Sequence, residues 1–124
     1  SARPEAAVFG LDLINEAQNP RLRPAVIAGG GPVTFGGWAY DPVARTARKA
    51  VDLVIDGAAY GARYGRPRPD VATYFKNEAL GGSGFAATLP PHVLKRGRHQ
   101  LVVRVVAADG RSYFDSAPVA FQIR

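Results

Sequence analysis

The stretch with the most chemistry per residue is Tyr60-Gly61-Ala62-Arg63-Tyr64-Gly65-Arg66-Pro67-Arg68, which interleaves two tyrosines with three arginines. Aromatic faces stack on sugar rings or bases, and the guanidinium fork pairs with carboxylate or phosphate. Tyr64, Arg66 and Arg68 are therefore the candidate ligand-binding residues, a shallow site for an acidic glycan. A second arrangement competes with it. Tyr60 and Tyr64 can fill the core beside Trp38 while Arg68 bonds locally to Asp70, and ordinary burial preferences favour that arrangement.

Catalytic constellations are harder to assemble. His99 falls on the inward face of its strand and is expected to be packed or hydrogen-bonded, while His92 follows Pro90-Pro91 and is expected in solvent. Neither has a second histidine or a carboxylate at ligand spacing, so no metal site is expected. Ser83, Ser112 and Ser116 lack the Gly-x-Ser-x-Gly elbow of an α/β-type hydrolase. Asp52, Asp56, Asp109 and Asp115 offer a carboxylate pair for glycoside hydrolysis, but Asp56 and Asp109 each precede a glycine and suit turns. Gly29-Gly30-Gly31 lacks the Lys-Ser/Thr of a phosphate loop. Lys95-Arg96-Gly97-Arg98-His99 reads as a solvated hairpin corner. The expectation is a non-catalytic chain with no cofactor.

Whatever the chemistry, the chain has 124 residues, enough for one domain with a real core. It holds no cysteine, which excludes disulfides and thiolate metal sites. A net charge of +6 and a pI near 10.2 bias encounters toward polyanions. No apolar run is long enough to span a bilayer, and the first residues, Ser1-Ala2-Arg3-Pro4-Glu5, lack a signal-peptide core. An excised piece of a longer secreted or membrane-bound protein fits that start.

The elements that must position these residues are strands. Phe9, Leu11 and Leu13 share a face of an edge-type strand, and the loop from Glu16 to Pro32 has room for a short strand at Ala25-Val26-Ile27. Val33 to Tyr40 places Val33, Phe35 and Gly37 on one side and Thr34, Gly36, Trp38 and Tyr40 on the other; the glycine pair suggests a bulge. Burial of Trp38 between two sheets removes ~150–250 Å² from water, worth roughly 4–6 kcal/mol, which makes it the expected centre of the core. Asp41-Pro42 ends the strand. Val51, Leu53 and Ile55 alternate inward, and Asp56-Gly57 turns the chain back through Ala58 to Tyr64. Val71, Tyr74 and Phe75 recur at helical spacing behind Pro69 and Asp70, which predicts a two-turn helix lidding one end. Phe85, Ala87 and Leu89, then His99, Leu101, Val103, Val105 and Ala107, and finally Val119, Phe121 and Ile123 complete the inward sets. Trp38, Leu53, Ile55, Phe85, Leu101 and Val103 are the expected core. Val54, Val102 and Val106 fall outside, where the N-terminal strand or a neighbouring domain would cover them.

About seven antiparallel strands with one short helix make an all-β, immunoglobulin-like β-sandwich: one domain over 1–124, with an N-terminal strand and loop in 1–32 and the core sandwich in 33–124. Gly37-Trp38-Ala39-Tyr40-Asp41, Val54-Ile55-Asp56-Gly57 and Arg68-Pro69-Asp70-Val71 resemble a bacterial immunoglobulin-like accessory module. So do Ser83-Gly84-Phe85, Leu94 to Leu101 and Ala108-Asp109-Gly110. The likeness covers Val33 to the C-terminus, about three-quarters of the chain. Such modules are attached to cell-envelope glycosyltransferases and other polysaccharide-handling proteins. The resemblance implies an extracytoplasmic, non-catalytic part of a larger protein. Its partner would be an acidic polysaccharide or a linked catalytic or membrane domain. A structural spacer is the alternative. Nucleic acid is disfavoured, since the recognition elements of the common RNA folds are missing.

Overall fold

Period-two alternation of apolar residues decides where each segment lies, because a strand with one apolar face is stable only against another such face. The computed structural model describes all residues, Ser1–Arg124. Its strands are β1 (Val8–Ile14), β2 (Ala17–Gln18), β3 (Ala25–Ile27), β4 (Val33–Tyr40), β5 (Val51–Ile55), β6 (Ala58–Gly61), β7 (Arg63–Arg66), β8 (Gly84–Leu89), β9 (Gly97–Val106), β10 (Tyr113–Asp115) and β11 (Val119–Ile123). Helix α1 (Pro69–Phe75) and a 3-10 turn (Glu78–Leu80) lie between β7 and β8.

These strands form two sheets. One runs β2-β1-β4-β8-β7; the other runs β3-β11-β9-β5-β6, with β10 beside β9 past the end of β11. Every pairing is antiparallel except β3 with β11, which is parallel. The strand segments number eleven rather than about seven, because two- and three-residue pieces (β2, β3, β10) pair along the edges and ends of the longer strands. The result is a mostly β protein of two stacked sheets and one short helix.

The core between the sheets is a single cluster that includes Leu53, Ile55, Phe85, Leu101 and Val103, all buried. Phe35 and Phe121 meet across it edge to face at 5.7 Å, a contact worth ~0.5–1.5 kcal/mol beyond area burial. Asp56 and Gly57 both have positive φ (51° and 86°), the geometry of the two-residue hairpin between β5 and β6. Asp41 accepts from the Val43 and Ala44 N–H groups (2.8 and 2.9 Å) and closes the turn after β4. His99 is packed, stacked on Phe121, with Nδ1 2.6 Å from Asp56 and Nε2 2.6 Å from the Lys95 carbonyl.

Four expectations are corrected. The central one concerns Trp38: β4 points Val33, Phe35 and Ala39 into the core, so Trp38 lies on the outer face of its sheet and is only half-buried. The segment after the hairpin does not stay with β5. It leaves one sheet at Gly61 and enters the other at Arg63, so Tyr64 pairs with Phe85 of β8. Helix α1 does not lid the sandwich end; it packs on the outer face against Trp38 and Tyr40 in a second, smaller apolar cluster. Finally, the bulge falls in β1 rather than β4. Asp12 is the extra residue between the Leu11–Gly37 and Leu13–Gly36 pairs, so Ile14 replaces Leu13 on the inner face. Phe9 and Leu11 join the inter-sheet core and leave the outer sides of Val54, Val102 and Val106 to their own sheet neighbours, Val54 beside Val102 and Val106 beside Tyr113.

Candidate functional site

In the row that crosses the first sheet, Trp38 is paired with Gly10 of β1 on one side and Gly84 of β8 on the other. Neither neighbour has a side chain, and the two large groups on this face use the gaps. The indole lies down over Gly10: a methyl group there would overlap Nε1 and stand 2.5 Å from Cε2. The Arg68 stem lies over Gly84, where a Cβ would be 3.0 Å from Cγ. Tyr40 lies near-parallel to the indole at 6.2 Å, Phe75 meets its edge at 5.5 Å, and Tyr74 packs on Phe75 at 4.9 Å. Tyr74 is 79% exposed. No protein group accepts the indole N–H, and it is not sealed from solvent.

A polar fence borders the aromatic surface. Arg68 donates from Nε and Nη2 to the two oxygens of Asp70 (2.9 Å each) and from Nη1 to Asp12 (2.6 Å). The bonds to Asp70, then burial in opposition, then the bond to Asp12 leave the guanidinium above its ordinary pKa. The same bonds hold the Asp70 carboxyl below its usual range. Both carboxylates stay open to water on their outer sides. The β1 bulge re-aims Asp12 onto this face.

Two shallow depressions meet at Trp38. One, of about 330 Å³, is lined by Asp70, Val71, Tyr74 and Phe75; the other, of about 380 Å³, is lined by Asp12, Asn19, Arg21 and Leu22. Arg21 is held in place by one nitrogen, which donates to the Phe9 carbonyl at 2.8 Å while the guanidinium stacks on the Phe9 ring at 4.1 Å.

Of the three residues proposed from sequence, the structure brings only Arg68 to this face as part of a network. Tyr64 turns inward, packs on the main core and donates its hydroxyl to the Ala39 carbonyl at 2.6 Å. Burial first, then the Asp41 charge, push that phenol up. Arg66 pairs with Gly84 and so stands in the same cross-strand row as Trp38, exposed on the outer face of the edge strand β7 and outside the Arg68 network. The three therefore share no open site, because the extra residue Gly65 (φ 98°) between the Tyr64–Phe85 and Arg66–Gly84 pairs breaks the alternation that would have put Tyr64 and Arg66 on one face. Asp12, Asn19, Arg21 and Tyr74 were not legible as site residues. The usable signal was a tryptophan on the strand face that otherwise carries only Thr34, Gly36 and Tyr40.

The remaining candidates have structural duties. Asp109 caps its turn through the N–H groups of Arg111 and Ser112, and Asp115 forms a two-point pair with Arg104 (2.8 and 3.0 Å). No three His, Asp or Glu side chains converge as a metal cluster would require. Comparison with family models, with curated proteins and with solved structures returns no match. Functional inference therefore rests on the geometry of this face.

Proposed function

We propose that this chain is a non-catalytic carbohydrate-binding module, an immunoglobulin-like accessory domain that positions a linked envelope protein on glycan. The strand order supports the fold part of this reading. Taking β1, β4, β8 and β7 as A, B, E and D, and β11, β9 and β5 as G, F and C, the orders A-B-E-D and G-F-C support an immunoglobulin-like reading. An extracytoplasmic setting, in a bacterial envelope protein, follows from the sequence resemblance.

The observation that carries the functional part is the half-exposed indole of Trp38, laid flat on a glycine with its N–H free and a hydrogen-bonding fence beside it. A sugar ring offers an apolar C–H face to an aromatic plane and hydroxyls to flanking carboxylates and guanidinium. Such a surface needs no cleft and no catalytic pair. Affinity electrophoresis of the chain through gels carrying soluble polysaccharide tests it: retardation that disappears in Trp38→Ala supports the reading, and unretarded wild-type protein on every polysaccharide overturns it.

A spacer that docks on a linked domain is the second reading. The strip it would use is Val54, Val102 and Val106 on the outer side of the other sheet, but Val54 is already only 9% exposed and neither other valine is fully exposed, so this strip offers less free surface than the Trp38 face. Under that reading Trp38→Ala has no binding phenotype.

A further inference from the structure

The global charge and the local charge of this protein point to different ligands. The whole chain carries +6. The two depressions beside Trp38 do not share that excess: Asp12 and Asp70 stand against Arg21 and the Arg68 that bonds both acids, while Arg66, beyond Gly84 in the same cross-strand row, lines neither. Arg68 already donates all three of its bonds to the two carboxylates, and Arg21 spends one nitrogen on the Phe9 carbonyl. A uronate bound at Arg68 would have to displace Asp12 or Asp70 and leave a carboxylate facing a carboxylate. Sugar hydroxyls, by contrast, can donate to the outer oxygens of both acids without breaking a bond.

The two depressions also have unlike linings. On the α1 side the surface is aromatic and aliphatic, with Tyr74 standing into solvent; on the β1 side it is polar, with Asn19 and Arg21 beyond Asp12. Trp38 is common to both, so a ligand stacked on the indole reaches a depression in either direction. Each depression is at the small end of the ligand-pocket range, enough for about one or two sugar rings.

Resting on the glycan reading, we infer that the Trp38 face binds an uncharged oligosaccharide as an extended chain: one ring on the indole, a neighbour against Tyr74, and another hydrogen-bonded at Asp12 and Asn19. The polyanion attraction of the whole surface is a separate, unspecific effect. Site binding of a neutral chain is insensitive to salt, whereas adsorption of polyanions to the basic surface is screened.

The test is titration calorimetry of the whole chain with neutral oligomers of glucose, mannose and N-acetylglucosamine, from monosaccharide to hexasaccharide, and with galacturonate oligomers of matching length. Each is run at low and at high sodium chloride. The expected result is binding of a neutral series, with affinity climbing with length to a plateau and unchanged by salt. Tyr74→Ala should weaken the long oligomers about tenfold. Asn19→Gly keeps the positive φ of 51° and removes only the amide. It should weaken the long oligomers about fivefold and leave the shortest binding oligomer unchanged.

The outcomes separate the two levels of the proposal. A neutral monosaccharide that binds as tightly as the hexasaccharide overturns the extended chain and leaves the glycan reading standing. Galacturonate oligomers that bind in preference, with affinity lost in Trp38→Ala, overturn the neutral class alone. Retardation on no glycan in electrophoresis, together with no heat from any oligomer, overturns both. Retained thermal unfolding of each variant shows that a lost affinity is not a lost fold.

Discussion

Trp38 rests on Gly10: the two are paired across β4 and β1, and a methyl group added at position 10 would overlap the indole nitrogen. Glycine is required here for the room above its Cα. Gly10→Ala should tilt the indole off the sheet, destabilise the protein by about 1–3 kcal/mol, and abolish polysaccharide retardation as Trp38→Ala does. Gly36 is the internal control. It lies on the same face, but a Cβ there meets Leu13 at an ordinary 3.5 Å, so Gly36→Ala should stay within roughly 0.5 kcal/mol of the parent and bind normally. Thermal unfolding and tryptophan emission read both, with a red shift expected only for Gly10→Ala. An unshifted, fully stable Gly10→Ala would mean the ring does not lie there.

Tyr64 should behave as a structural residue. Its hydroxyl reaches the Ala39 carbonyl across the inside of the sheet, and burial keeps the phenol protonated. Tyr64→Phe removes the donor, leaves the ring in place and strands a carbonyl oxygen, at a cost of ~1–3 kcal/mol by chemical denaturation. Glycan affinity should not change. A variant of full stability with impaired binding would return Tyr64 to the ligand site.

Much of the fold was legible because it rests on short-range signals. Alternation located the inner faces of β5, β8, β9 and β11, Asp56-Gly57 marked its hairpin, and the Val71–Tyr74–Phe75 spacing placed α1. The residues around Trp38 were misplaced for a reason of the same kind. Its strand has apolar groups on both faces, and nothing within β4 says that the face with Val33 and Phe35 is the one covered by the second sheet. The crossing at Ala62 was equally silent, since alternation continues through it while the pairing partner changes. The fence depends on Arg68 meeting Asp12, 56 positions earlier in the chain, and on a bulge that no local pattern announces. Asp56 was correctly read as a turn residue, yet its contact with His99 joins segments 43 residues apart and was invisible for the same reason.

Acid should loosen the β9–β10 turn first. The N–H groups of Ser112 and Arg111, then the Ser112 hydroxyl, hold the Asp109 carboxyl down from 3.8 to about 2. A folded-state value below the unfolded one means that the bonds to the charged form favour folding above about pH 4, and that this contribution fades as pH falls toward 2. Asp70 and Asp56 are also lowered and act in the same direction. Melting temperatures measured from pH 7 down to pH 2 should therefore show Asp109→Asn less stable than the parent at neutrality and level with it at the acid end. Parallel curves over the whole range would remove Asp109 as a contributor.

Arg68 separates the fence from the platform. Its planar fork serves Asp70 with two nitrogens and Asp12 with the third, a division of labour that a lysine ammonium cannot copy at the same spacing. All three groups are partly exposed, so Arg68→Lys should cost stability only about 0.2–1 kcal/mol. Ligand affinity should respond more strongly, because the two carboxylates lose the common donor that fixes their direction. The expected pattern is a drop of roughly three- to tenfold for neutral oligosaccharides with tryptophan emission unchanged. Asp12→Asn with the arginine intact should cost less, since the amide oxygen still accepts from Arg68. If Arg68→Lys binds as the parent does, the indole and Tyr74 account for recognition without the fence. If affinity falls only alongside a shifted emission, Arg68 acts through the position of Trp38 rather than through the sugar hydroxyls.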